Sequence, residues 1–232
     1  MACIGTTQPP CGLEWGRADF DGFWDFIGPW LHRVRRGGAR RRDDPFPDLI
    51  YLWVAFNAWL GQVVGDRAHI DRDWTLVLAA AHDPKLTRAF EETRAAALPA
   101  GRACVEFHAL WPVFKARALV DRNILPWEAP SGTEGRSTFR AACFASHLDQ
   151  GDWAPRCFQA HQPSGTSPAQ YDPGHVPLDW PHMIAAIYQV RCNLFHGGKT
   201  FVYAGDRMFV ALAVDILREV WARSGAIPRH IL

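Results

Sequence analysis

Apolar residues recur along this chain at helical spacing, and no stretch of useful length shows the two-residue alternation of a half-buried strand, so the pattern predicts an all-α domain. A first helix is expected from about residue 19, with Phe20, Phe23, Trp24 and Ile27 on one side and a kink or restart at Gly28-Pro29. The next, over 49–64 with Asp48 as its cap, is apolar almost all round and belongs in the middle of a bundle. Two shorter helices follow over 74–81 and 84–98, the second opened by Asp83-Pro84, a capping residue with proline at the first helical position. A longer amphipathic helix is expected over 102–121, bent at Pro112. The last, over 206–223, is capped by Asp206, packs through Phe209, Val210, Ala213, Ile216, Leu217 and Val220, and stops at Ser224-Gly225.

Two stretches break this rhythm. Residues 1–14 carry Gly5, Pro9, Pro10 and Gly12 without periodicity and read as a flexible arm ahead of one helical domain, 15–232. Residues 123–178 form a loop-rich insertion heavy in Pro, Gly and Ser, and a connection that long is functional or partly disordered. Inside it lies a small repeat, Cys143-Phe-Ala-Ser-His147 and Cys157-Phe-Gln-Ala-His161. Cys143, His147, Cys157 and His161 supply the four soft ligands of a structural zinc. Their order matches no common finger, and the plain alternative is two buried cysteines with surface histidines.

Composition adds limits. At 232 residues, with 48% hydrophobic residues and 11 Trp, one domain can bury a sizeable core. The formal charge of +1 excludes a globally basic surface, so nucleic-acid binding has to rest on local patches. The strongest is Arg33-Val-Arg-Arg-Gly-Gly-Ala-Arg-Arg-Arg42, which either holds phosphates or is a solvated loop between helices. The six cysteines follow a start with neither a basic segment nor an apolar core, which points to reduced thiols in a cytoplasm. The longest near-apolar run, 49–60, is interrupted by Asn57 and too short for a bilayer, so no membrane role is expected.

Most of the candidate chemistry sits at 187–199, Ile-Tyr-Gln-Val-Arg-Cys-Asn-Leu-Phe-His-Gly-Gly-Lys. Asp179 is a fitting N-cap for this helix, and Pro181 is tolerated in its first turn. Ile184, Ile187, Tyr188, Leu194 and Phe195 form an apolar stripe, and Arg191 stands inside it where a Leu would be expected. A guanidinium on a packed face needs an anionic or carbonyl partner. Gly197-Gly198 should end the helix, leaving His196 in the last turn at the negative end of the helix dipole. Five residues of α-helix amount to about 500°, so Arg191 and His196 diverge by roughly 140°. One regular helix cannot aim both at a single small substrate.

Arg191-Cys-Asn-Leu-Phe-His196 resembles the R-x4–6-H signature of the HEPN superfamily, and Asn193, Leu194 and Gly197 sharpen the likeness. Leu52-Trp-Val-Ala-Phe-Asn-Ala-Trp-Leu-Gly61 is similar to the early core helix of Apea-like members, and the closing helix after Asp206 also fits. The resemblance covers about half the chain. It implies a HEPN-like helical bundle and a homodimer with a composite site. The implied activity is metal-independent endoribonuclease chemistry without a cofactor, of the toxin or phage-defence kind. RNA carries its own nucleophile in the 2′-hydroxyl, which attacks the adjacent phosphate to leave a 2′,3′-cyclic phosphate. In that chemistry His196 is the base or acid and Arg191 neutralises the growing charge. Asn193 and Lys199 would bind phosphate. Asn57 is either a buried amide bonded to backbone or an orienter of Arg191 or His196.

One departure stands out: the residue after the arginine is often polar in the family, and here it is Cys192, a poor donor. That weakens the phosphate network and favours a rival reading, a catalytically silent module that binds RNA or a protein such as an antitoxin or a nucleotidyltransferase. A purely structural domain is a third reading, in which Arg191 pairs with a carboxylate of its own fold.

Overall fold

A computed structural model describes residues 13–15, 22–35, 44–64, 73–97, 99–110, 178–196 and 204–227. Those residues are all-α: α1 (Phe23–Arg35), α2 (Phe46–Val63), α3 (Asp73–Ala81), α4 (Pro84–Ala95), α5 (Pro99–Leu110), α6 (Trp180–Phe195) and α7 (Ala204–Arg223). The arginine run beyond Arg35, the bend expected at Pro112, both Cys-x3-His pairs and Lys199 lie outside them.

The apolar-all-round segment becomes the axis. α2 packs against α1, α3, α6 and α7, and it buries Leu49, Leu52, Trp53, Ala55, Phe56, Trp59, Leu60 and Val63. Its aromatic residues form a continuous chain through the core. Trp15 meets Trp59 edge-on at 5.2 Å, Trp59 and Phe56 both meet Trp221 of α7, and Phe56 leads through Trp53 to Tyr188 of α6. Such ring pairs contribute about 0.5–1.5 kcal/mol each beyond the area they bury. α7 closes the bundle with the expected face, since Phe209, Val210, Ala213, Ile216, Leu217 and Val220 are all buried.

Local rules fix most boundaries. Asp83 caps α4 as expected, its Oδ1 accepting from the amides of Lys85 and Leu86. Asp179 caps α6 by accepting from the His182 amide at 3.0 Å. Gly225, at φ 77°, takes the left-handed conformation that stops α7.

α1 is continuous through Pro29, so of the two outcomes expected there the restart does not occur. Two expectations are corrected. α2 begins three residues before the expected start, with Pro45 at the N-cap and Asp44 Oδ1 accepting from the Phe46 amide, so Asp48 is a buried first-turn residue and not a cap. Likewise Asp206 is a fully buried residue in the first turn of α7, which begins at Ala204. In both cases an acidic side chain near a helix start looks like a cap from sequence, because first-turn and capping positions favour the same residue type. The N-terminal stretch is pinned where it is described: the Glu14 amide donates to the Val63 carbonyl, and Trp15 Nε1 donates to Asp83 Oδ2 at 2.9 Å.

Candidate functional site

α6 and α3 pack together and run antiparallel. The direction follows from two contacts. Near the start of α6, Trp180 Nε1 donates to the carbonyl of Ala80, near the end of α3, at 2.8 Å. Near the end of α6, Arg191 Nη2 meets Oδ2 of Asp73, the first residue of α3, at 2.8 Å. The arginine that interrupts the apolar stripe therefore has an anionic partner from its own fold.

Asp73 is held from a second side. Its Oδ1 accepts from Asn57 Nδ2, on α2, at 3.4 Å. The amide is oriented this way because only its NH2 end can face a carboxylate. Asn57 thus reaches Arg191 through Asp73, an arrangement between the two sequence readings of that residue. Among the described residues it bonds to neither backbone nor guanidinium directly. Aromatic faces complete the cage: the Arg191 guanidinium carbon lies 4.6 Å from the Phe195 ring centroid, 5.8 Å from Trp53 and 5.9 Å from Tyr188.

The cage is not fully satisfied. Arg191 Nε and Asn57 Oδ1 are both buried, with no hydrogen-bond partner among the described residues. Each such group costs about 1–3 kcal/mol relative to a bonded one. Because Nε makes no bond, the pairing with Asp73 is not the two-pronged fork through Nε and Nη2 that fixes an arginine most tightly. The pair is partly open to solvent, with side-chain exposures of 22% for Arg191 and 34% for Asp73.

The rest of the motif divides into inward and outward residues. Cys192 and Asn193 are buried. Asn193 Oδ1 accepts from Gln189 Nε2 at 2.9 Å, one turn back on α6, so its carbonyl end is engaged within the helix. Phe195, expected in the packed stripe, is instead 53% exposed. His196 is exposed at the C-cap of α6, its amide still bonded to the Cys192 carbonyl. The site that emerges is Arg191, Asp73 and Asn57 in one cluster, with Phe195 and His196 at the open end of the same helix. Asp73 is the member that sequence reasoning missed. Its only signal was an acid at the start of a short helix, and nothing in the spacing ties it to Arg191.

No family model, curated protein or solved structure matches this chain. No helix among the described residues is long and apolar enough to cross a membrane.

Proposed function

We propose that this chain is a metal-independent endoribonuclease of the HEPN kind that works as a homodimer in the cytoplasm. The observation that carries the reading is the exposed His196 at the end of α6, with a partly exposed, caged Arg191 on the preceding turns of the same helix. An imidazole can serve as proton acceptor or donor, and this one is exposed at the helix end. It would take the proton from a 2′-hydroxyl, the freed oxygen would attack the neighbouring phosphorus, and the departing 5′-oxygen would receive a proton from a second histidine. Arg191 would stabilise the charge on the phosphorane oxygens.

The divergence of the two side chains around α6 means that one copy cannot supply both roles to one phosphate. A two-fold contact near the end of α6 would bring two arginines and two histidines into one cleft. Phe195, exposed beside them, is the sort of apolar surface such a contact covers. Lys199 would add phosphate affinity. Asn193 is a weaker member of the set, since it is buried. A role as a toxin or in phage defence follows from the same resemblance.

The test is incubation of the purified chain with single-stranded and hairpin RNAs in EDTA, with the products probed for 2′,3′-cyclic phosphate. Cleavage unaffected by His196→Ala would sink the reading, as would a strictly monomeric protein that cuts.

One observation favours a second reading. Asp73 already offsets the charge of Arg191, and Cys192 and Asn193 point into the core. A catalytically silent module that binds RNA or a protein partner, such as an antitoxin or a nucleotidyltransferase, would look like this, and so would the purely structural domain in which Arg191 pairs with a carboxylate of its own fold. It predicts retention of RNA or partner without cleavage and no growth defect on overexpression.

A further inference from the structure

We infer that Asp73 is a positioning residue for Arg191, fixing the guanidinium in the orientation that receives a phosphate; the inference rests on the ribonuclease reading above. Three features support positioning over simple neutralisation. The carboxylate is itself anchored. It sits in the first turn of α3, where unsatisfied amides favour an anion, and Asn57 holds its other oxygen from the interior of α2. A group fastened on two sides does not swing away readily and gives its arginine a fixed reference point.

The contact is also one-sided. It runs through Nη2, and Nε is buried without a bond among the described residues, so Asp73 orients the guanidinium while leaving its Nη1 end unengaged. Finally, the Phe195 ring lies 4.6 Å from the guanidinium carbon, with Trp53 and Tyr188 further off, so rotation about the end of the side chain is restricted. An arginine placed beforehand costs no reorganisation when charge develops on the phosphorane. A freely rotating one would have to be ordered at that moment.

The experiment uses the full chain, a fluorescent pool of random single-stranded RNA 20-mers, about the span of one or two protein footprints, and three variants. Asp73→Asn keeps the shape and removes the charge, Asp73→Glu restores the charge at a longer reach, and Arg191→Gln removes the partner. Positioning predicts that Asp73→Asn lowers kcat by about tenfold or more, an order-of-magnitude loss for a misplaced group, with little change in KM. Asp73→Glu should recover part of that loss. A rate for Asp73→Asn equal to or above the wild type overturns the inference and marks Asp73 as a block on Arg191. A parallel arm needs no activity: the Arg191 Nε–H signal in a 15N NMR spectrum, assigned by its disappearance in Arg191→Gln. It should be shifted and slowly rotating in the wild-type protein and lose both traits in Asp73→Asn. A signal identical in both proteins overturns the inference even in a chain that cuts no RNA, whereas a shifted signal without cleavage would sink only the ribonuclease reading.

Discussion

Two buried tryptophans offer a paired measurement of what one hydrogen bond contributes to this core. Trp180 and Trp221 are both fully buried. The indole of Trp180 donates to the Ala80 carbonyl at 2.8 Å, whereas that of Trp221 has no partner among the described residues. The Ala80 carbonyl needs outside help for a reason written in the sequence. Its regular helical donor would be residue 84, which is proline and has no N–H, so from the backbone it receives a 3.2 Å bond from the Asp83 amide instead. Replacing either tryptophan with Phe removes two buried carbons and the ring nitrogen. At about 0.8 kcal/mol per buried carbon group, the apolar loss is roughly 1.5 kcal/mol at each site. At Trp180 the lost hydrogen bond adds about 1 kcal/mol, giving roughly 2.5 kcal/mol in all. At Trp221 the change also removes an unpaired buried N–H, which returns about 1–3 kcal/mol and brings the net effect near zero. Urea unfolding of both variants measures the difference. With a slope of about 2 kcal/mol per molar, Trp180→Phe should move the midpoint down by roughly 1 M while Trp221→Phe hardly moves it. Equal shifts would refute the reasoning, since they would mean that ring volume alone decides.

Three further outcomes are expected. Gly101→Ala should destabilise by about 1–3 kcal/mol although alanine is the better helix former, because a Cβ there would lie 2.8 Å from the Thr93 carbonyl oxygen and closer still to that of Ala96; a raised melting temperature would show that α4 and α5 can separate at no cost. Asp83→Ala removes two amide contacts at the start of α4 and the anchor of the Trp15 indole, so a loss of about 2 kcal/mol is expected in chemical unfolding, and Trp15→Phe should reproduce only the smaller part of it. Burial pushes the Cys104 thiol up from its ordinary 9.0 to about 12, partly offset by Arg94. Between those values the unfolded chain has released a proton that the folded chain still holds, so stability falls as pH rises above 9. Melting curves should show that decline become shallower in Cys104→Ala, and an unchanged slope would refute it.

Much of the helical frame was legible because it follows from short-range rules. The caps at Asp83 and Asp179, the stop at Gly225 and the buried face of α7 all depend on residues within a turn or two of one another. The misreadings have the same origin. Asp48 and Asp206 sit where an acid suits a helix start, and sequence does not separate a cap from a first-turn residue whose side chain turns into the core. At Pro29, only packing tells whether the helix survives the missing amide: α1 lies along α2, and Phe23, Ile27, Leu31 and Val34 stay buried on both sides of the proline.

At the site, legibility ended where distance along the chain began. An arginine in an apolar stripe signals that some anion must meet it, but burial rules do not say which one. Three elements have to come together before Asp73 reaches Arg191: α2 at the centre to bring Asn57, α3 with its first residue facing that amide, and α6 antiparallel to α3. The aromatic chain along α2 sets that geometry, because Trp53 touches Tyr188 and places the late turns of α6 over the start of α3. The same packing explains why His196 is outside the cluster. Once Arg191 faces Asp73, the helical repeat carries a residue five positions on to a different side of the axis, and the end of α6 at Phe195 leaves it exposed there. Arg191 is therefore tied to the fold, while His196 stands exposed among the described residues.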